Sequence, residues 1–179
     1  MAETTEPTES AITDTGHDVI AELAGIAVDS PLGQLRAQQP AAVRAAQGSY
    51  QALLEPDDLA GVSHREREAI ALRVAVLTPS EPVAAWHRER LRALGLNDEA
   101  LAAIEEFPAG PALAPRETAI LAHTDLLTIH PGAATPAHLA ALQAAGLSPR
   151  DIVTISQLVA FVSYQVRVLA GLRLLAEEA

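Results

Sequence analysis

Residues 63–96 read SHREREAIALRVAVLTPSEPVAAWHRERLRALGL, and this stretch decides the fold. Ser63 followed three residues later by Glu66 is the pattern of a capping box, which marks the start of a helix. The segment Thr78–Glu81 provides a break and a second start, and Gly95 suits the position just beyond a helix end. The stretch therefore predicts two helices joined by a tight turn.

Helical periodicity continues through the rest of the chain, with short loops and no alternating pattern typical of a strand. Further helices are expected to start near Asp18, at Pro40, near Glu99, at Pro115, after Thr135 and after Ser148. Residues 1–13 lack apolar periodicity and are predicted to be a disordered tail. The predicted fold is all-α, with about eight helices in a single domain over residues 14–179.

The composition excludes several kinds of chemistry. The 179 residues include no cysteine, which excludes disulfides, thiolate nucleophiles and cysteine-bound metal centres. All 12 basic residues are arginine, so Schiff-base chemistry on a lysine is excluded as well.

Charge and hydropathy narrow the expected partners and location. A net charge of −11 argues against binding to nucleic acid or to an anionic membrane surface. No uninterrupted apolar run approaches the length of about 20 residues that a membrane span needs, and no signal peptide is visible. We therefore expect a cytoplasmic protein.

Two ionisable side chains lie on apolar helix faces. A helical wheel places Glu68 on the apolar face of the first helix, with Glu66 and Arg73 on the opposite side. His87 shares the apolar face of the second helix with Val83. A carboxylate and an imidazole in one water-poor region can form a general acid/base pair. The alternative is a hydrogen-bonded core pair without a chemical role.

A weak internal repeat accompanies this helix pair. An acid, a histidine and a glycine recur in the same order, with offsets of 49 and 51 residues. The matched residues are Glu68 with Glu117, His87 with His138 and Gly95 with Gly146. His138 has no acid at the matching depth, which favours a structural role for histidine at this position.

The spacing from Glu68 through Ser80, Val83 and His87 to Gly95 resembles the signature helix pair of the carboxymuconolactone decarboxylase and alkylhydroperoxidase D superfamily. The stretch 136–172 also resembles the corresponding region of its peroxidase-related members. The resemblance implies an all-helical fold and a homo-oligomer, either a dimer, a trimer or a hexamer.

The chain departs from this pattern where the peroxidase branch has Cys-x-x-Cys. Ser80 and Val83 occupy the two cysteine positions, and the chain contains no other cysteine. A serine hydroxyl cannot cycle through a sulfenic acid or a disulfide, so the chain is not expected to be a thiol peroxidase by itself. We expect Ser80 to cap a helix and Val83 to pack in the core.

The resemblance to the decarboxylase branch implies chemistry without a redox dithiol. Glu68 and His87 would then act as a general acid/base pair in the decarboxylation or isomerisation of a small carbonyl acid, with no cofactor. Arg167 is a candidate to bind the substrate carboxylate, or else to pair with an acid at a subunit interface. Tyr50 and Trp86 are candidates to line the pocket.

Two other functions stay open. The protein could be a non-catalytic member that binds a small molecule or joins an oligomer with a cysteine-containing relative. His64, Glu68 and His87 could also supply three ligands to a metal ion, although we expect no metal because His64 falls in an exposed first turn.

Overall fold

The computed structural model describes residues 17–177, and this range contains only helices and the loops between them. Nine α-helices lie in it: α1 (Val19–Ala24), α2 (Pro31–Ala37), α3 (Pro40–Leu54), α4 (His64–Leu77), α5 (Glu81–Ala93), α6 (Asp98–Glu105), α7 (Pro115–Ile129), α8 (Pro136–Ala144) and α9 (Pro149–Glu177). A 3₁₀ turn over Pro131–Ala133 precedes α8. The all-α prediction is confirmed. The predicted tail, residues 1–13, lies outside the described residues.

Helix α4 is the centre of the bundle and packs mainly against α5, α7 and α9. Eight of its 14 residues are buried, among them three charged residues. The prediction that Arg73 lies on a polar outer face of α4 was wrong, since Arg73 is buried. Its guanidinium donates to both oxygens of Asp125 at 2.7 Å and to the carbonyl of Glu105 at 2.8 Å. Because the charge is paired and hydrogen-bonded, its burial costs much less free energy than burial of an isolated charge.

A second buried cation fixes the connection between α3 and α4. Arg67 is 2 % exposed and donates to the carbonyl oxygens of Val62, Leu53 and Leu59. These carbonyls belong to the end of α3 and the loop that follows, where the helical ladder no longer supplies donors. Arg67 therefore holds the entrance to α4 in place.

The structure confirms a repeated helix unit but changes its register. The helix N-caps Ser63 and Ala114 are 51 residues apart, and so are Gly95 and Gly146, which both adopt positive φ beyond a helix end (88° and 86°). A single offset of 51 residues therefore relates α4–α6 to α7–α9.

This register overturns one predicted match. Glu117 corresponds to Glu66 and not to Glu68, since each accepts a hydrogen bond from the amide of its own N-cap. Reciprocal ion pairs join the two units, Arg116 to Glu66 at 2.6 Å and Arg65 to Glu117 at 3.4 Å. Glu68 has no acidic counterpart in the second unit.

Helix α9 has the length and composition of a membrane span, yet its inner face lies in the core. Ile155, Leu158 and Val162 have no exposed surface. These residues belong to the hydrophobic core, so α9 is a core helix of the bundle.

The close approach of Gly61 to Asp151 generates a stability prediction. Asp151 accepts from the amides of Gly61 and Ser148 at 3.0 and 2.9 Å, and a Cβ on Gly61 would lie 2.5 Å from its carboxylate. Gly61→Ala should lower the free energy of unfolding by about 1–3 kcal/mol, or several degrees in Tm. Calorimetry of the variant measures this change.

Gly132→Ala is the matched control, because no atom lies within 4 Å of the Cβ position there. Equal melting temperatures for the two variants would contradict the proposed packing between Gly61 and Asp151.

Candidate functional site

The α4–α5 hairpin brings the two predicted site residues together. The three-residue turn between the helices is closed by the Ser80 amide, which donates to the Ala75 carbonyl at 3.1 Å. His87 Nδ1 then lies 2.6 Å from Glu68 Oε2. His87 has no exposed surface and Glu68 is 1 % exposed, so the pair is shielded from water.

Arg90 is a third member of the site that sequence reasoning missed. Its Nε donates to Glu68 Oε1 at 2.6 Å, and its Nη2 donates to Glu55 Oε1 at 2.8 Å. Each oxygen of Glu68 therefore has its own partner. A signal was available in the sequence: Arg90 is one turn after His87, and a buried carboxylate requires a nearby cation.

Hydrogen bonds to Glu68 keep its carboxylate ionised and orient His87. Burial acts to raise the pKa of Glu68, but the hydrogen bonds from His87 and Arg90 and the charge of Arg90 outweigh it and hold the pKa below its ordinary value. An ionised carboxylate only accepts, so Nδ1 of His87 carries the hydrogen that Glu68 receives. Glu68 thereby fixes the orientation of the ring.

The other nitrogen of His87 is left without a partner. Nε2 is buried and makes no hydrogen bond within the described part of the chain. Leaving a buried polar atom unpaired costs about 1–3 kcal/mol, and such atoms are uncommon in folded proteins. Nε2 is therefore the one side-chain polar atom of the Glu68–His87 pair that has no partner among the described residues.

Two clefts lie beside the site. One, of about 310 Å³, is lined by Glu68, His64 and Arg90, and we call it the Glu68 cleft. The other, of about 600 Å³, lies between α1 and α5 and is lined by Trp86 and Arg90; we call it the wide cleft. His87 lines neither cleft.

Tyr50 and Trp86 form a hydrogen-bonded pair next to these clefts. Trp86 Nε1 donates to the Tyr50 hydroxyl at 3.3 Å. Tyr50 is 2 % exposed, and burial raises its pKa to about 12. The phenol therefore stays protonated at neutral pH, and of the two residues Trp86 lines the wide cleft.

The other predicted residues, Val83, Ser80 and Arg167, make no side-chain hydrogen bond to the Glu68–His87 pair. Val83, four residues before His87 on α5, has no exposed surface. Ser80 precedes α5, but its hydroxyl makes no capping hydrogen bond, contrary to the expectation. Arg167 is exposed and donates to the backbone carbonyl of Ser163 at 2.7 Å, so the structure does not bring it to the site.

The three candidate metal ligands do not form a metal site. His64 Nδ1 lies 3.3 Å from the Leu54 carbonyl, and both oxygens of Glu68 are already engaged. Within residues 17–177 no group of three histidine, cysteine or acidic side chains could hold a metal ion.

Comparison with solved structures defines the fold class. A peroxidase-related protein from Silicibacter sp. shares 22 % identity at a TM-score of 0.70, covering 96 % of this chain and 92 % of that one. A peroxidase-related protein with an alkylhydroperoxidase AhpD core, from Ralstonia eutropha, shares 20 % identity at a TM-score of 0.69 over 86 % and 78 %. An AhpD-type protein of unknown function from Agrobacterium tumefaciens shares 22 % identity at a TM-score of 0.66 over 75 % and 89 %.

The chain therefore has the alkylhydroperoxidase D-like fold, as the sequence resemblance implied. No protein-family model matches it, and no curated protein matches it.

The contacts of Arg90 predict its contribution to stability. Arg90→Gln would leave the buried Glu68 carboxylate with one partner, and we expect the free energy of unfolding to fall by about 2 kcal/mol, since one third of the Arg90 side chain is exposed. Arg92→Gln on the same helix removes only surface ion pairs and should change little. Chemical denaturation of both variants gives the comparison, and equal losses would contradict the bridging role of Arg90.

The lowered pKa of Glu68 predicts a pH dependence. A carboxyl group with a lower pKa in the folded state stabilises the protein above the pKa of the unfolded chain, and this stabilisation disappears as the pH falls through the folded value. Wild-type stability should therefore fall below about pH 4.5, and Glu68→Gln should make that slope smaller. The exposed Glu99→Gln variant should retain the wild-type slope; an unchanged slope in Glu68→Gln would show that Glu68 is not ionised in the folded protein.

Proposed function

We propose that this protein carries out cofactor-free general acid/base chemistry on a small carbonyl acid, with His87 Nε2 as the atom that exchanges the proton. The observation that carries the proposal is the unpartnered state of Nε2 in a site where every other polar atom of Glu68 and His87 is paired. A pair with a purely structural role gains nothing from a buried nitrogen without a partner.

The three polar residues have separate roles in this proposal. Arg90 keeps Glu68 ionised, and Glu68 holds the Nδ1–H of His87, so that the lone pair lies on Nε2. When Nε2 takes a proton, the resulting imidazolium is stabilised by the Glu68 carboxylate at 2.6 Å. Glu68 and Arg90 are thus positioning residues, and His87 is the residue that meets the substrate.

The same nitrogen can serve isomerisation and decarboxylation. In isomerisation, Nε2 removes a proton from the carbon beside the carbonyl and returns it to another carbon. In decarboxylation, the bond between the α-carbon and the carboxylate carbon breaks, its electron pair stays with the α-carbon as an enolate, and CO₂ leaves; the imidazolium then delivers a proton to the α-carbon. His87 then regains its proton from solvent.

Substrate access is part of the proposal. Trp86 is the neighbour of His87 on α5 and forms part of the wide cleft, so we infer that substrate approaches from this cleft and displaces the indole. Glu22 and Glu89 also line the cleft, which favours a substrate with at most one negative charge.

Deuterium exchange tests the chemistry without knowledge of the natural substrate. Small 2-oxo and 3-oxo acids are incubated with the protein in D₂O, and loss of the proton on the carbon next to the ketone is followed by NMR. We expect wild-type protein to accelerate exchange for at least one acid, and His87→Gln to lower the rate about 100-fold. His130→Gln, at an exposed turn, is the control and should retain the rate. Exchange no faster than in buffer, or an equal rate in His87→Gln, would contradict the proposal.

A second candidate function is that of a non-catalytic subunit in an oligomer. It is favoured by the enclosure of His87 and by the distribution of exposed apolar side chains. Of the nine large hydrophobic residues that are exposed in the described range, six lie between residues 129 and 175. Two of these six, Val153 and Tyr164, belong to an outer stripe on α9. The stripe has spacings of four, three and four residues and consists of Val153, Gln157, Ala160 and Tyr164. This spacing suits the packing of another helix.

Charge favours a second copy of this chain on the stripe. Between residues 126 and 166 the only charged residues are Arg150 and Asp151, whereas the whole chain carries a net charge of −11. Two copies can therefore approach through this region with less repulsion than elsewhere. A mixed assembly with a cysteine-containing relative would use the same stripe.

Light scattering during size exclusion tests this candidate. The wild-type protein should form an assembly, and Val153→Glu or Tyr164→Glu should reduce it to the monomer, because each places a charge on the stripe. Ala42→Glu, at an exposed position on α3, should leave it intact. A monomeric wild-type protein that forms no mixed assembly with a cysteine-containing relative would overturn this candidate.

A further inference from the structure

Four helices in the described chain begin with the same side-chain arrangement. The third residue of the helix accepts a hydrogen bond from the backbone amide of the N-cap residue. In α4, α7 and α9 the acceptor is a carboxylate, that of Glu66, Glu117 and Asp151 respectively. In α8 it is the imidazole of His138, whose Nδ1 lies 3.1 Å from the Thr135 amide nitrogen.

The imidazole differs from the carboxylates in the pH at which it stops accepting. An amide N–H can only donate, so Nδ1 of His138 must be unprotonated to receive it. The Thr135 hydroxyl, 2.9 Å from Nδ1, can reverse its role when the ring is protonated, but the amide cannot. A histidine normally gains its proton near pH 6.5, about two units above the range in which a glutamate does.

Apart from this cap, few buried contacts stabilise the first turns of α8. Residues 136–141 are all exposed, and the buried anchors of this segment are Leu142 and Leu147 near its end. Arg116 Nη1 donates to the Gly146 carbonyl at 3.3 Å, again at the C-terminal side. The N-terminal half of α8 therefore depends on its cap to an unusual degree.

The carboxylates of α7 and of the first turn of α9, the helices that pack against α8, are already engaged. Glu117 pairs with Arg65, Asp125 holds Arg73, and Asp151 holds the Gly61 and Ser148 amides. Arg150 on α9 is paired with Asp58.

His123, a further titratable residue of α7, is buried. Burial, and then the charge of His138, keep the pKa of His123 below its usual range. An imidazolium at the start of α8 would also oppose the helix dipole.

We propose that α8 is an acid-sensitive element: protonation of His138 removes the acceptor for the Thr135 amide and opens the N-terminal half of the helix, while the other three helix starts stay closed. The opening changes the surface of the α7–α8 region without disturbing the α4–α5 hairpin. It does not depend on the activity proposed for His87.

Hydrogen exchange measures this opening directly. Protection factors, which are corrected for the intrinsic effect of pH on exchange, are compared at about pH 7.5 and about pH 5.5. In wild-type protein the amides of residues 138–141 should lose protection about fivefold, the scale of one helix cap. The first amides of α7, capped through Glu117, serve as the internal control and should not change.

Two variants distinguish the cap from other causes. His138→Glu installs the carboxylate acceptor found in α4, and His138→Gln supplies an amide oxygen that stays an acceptor at both pH values; both should abolish the difference. His123→Gln should retain it. The proposal is overturned if the wild-type protection is the same at both pH values, if the difference survives in His138→Glu, or if it disappears in His123→Gln.

Discussion

The site depends on the ion pair between Glu68 and Arg90. A carboxylate with 1 % exposure in the middle of a helical bundle is unfavourable unless it is paired and hydrogen-bonded. Arg90 occupies one oxygen and leaves the other for His87, so the charge that stabilises Glu68 also dictates which nitrogen of His87 carries the hydrogen. The orientation of the His87 ring follows from these contacts, and the proposed chemistry uses its Nε2.

The α4–α5 hairpin contains no thiol. The sequence resemblance places Ser80 and Val83 at the two cysteine positions of the peroxidase branch, and Val83 is packed in the core. The Glu68–His87 contact is nevertheless complete at 2.6 Å. The proposed acid/base chemistry uses this retained part of the site, whereas thiol chemistry is excluded by the composition of the chain.

Much of the fold was predictable because its signals are local. The capping box at Ser63, the helix stops at Gly95 and Gly146 and the prolines at helix starts all act within a few residues. Contacts between distant segments were not predictable in the same way. Arg73 was assigned to a polar surface because its partner, Asp125, is 52 residues away in sequence.

The candidate site shows the same division. The helix wheel found Glu68 and His87, because their inward position is a property of each helix alone. The wheel alone did not identify Arg90 as their partner, because that contact also depends on how α5 is rotated against α4; the one-turn spacing from His87 was the available signal. The match of His138 with His87 was correct in register, yet the wheel could not show that His138 is exposed on α8.

The tautomer of His87 tests the central claim most directly, and ¹⁵N NMR of the ring nitrogens at neutral pH reports it. The proposed chemistry requires a proton on Nδ1 and an unprotonated Nε2 in wild-type protein. It also predicts that this preference is lost in Glu68→Gln, whose side chain no longer requires a donor at that position. A proton on Nε2 in the wild-type protein would contradict the account, because the site would then hold no free base.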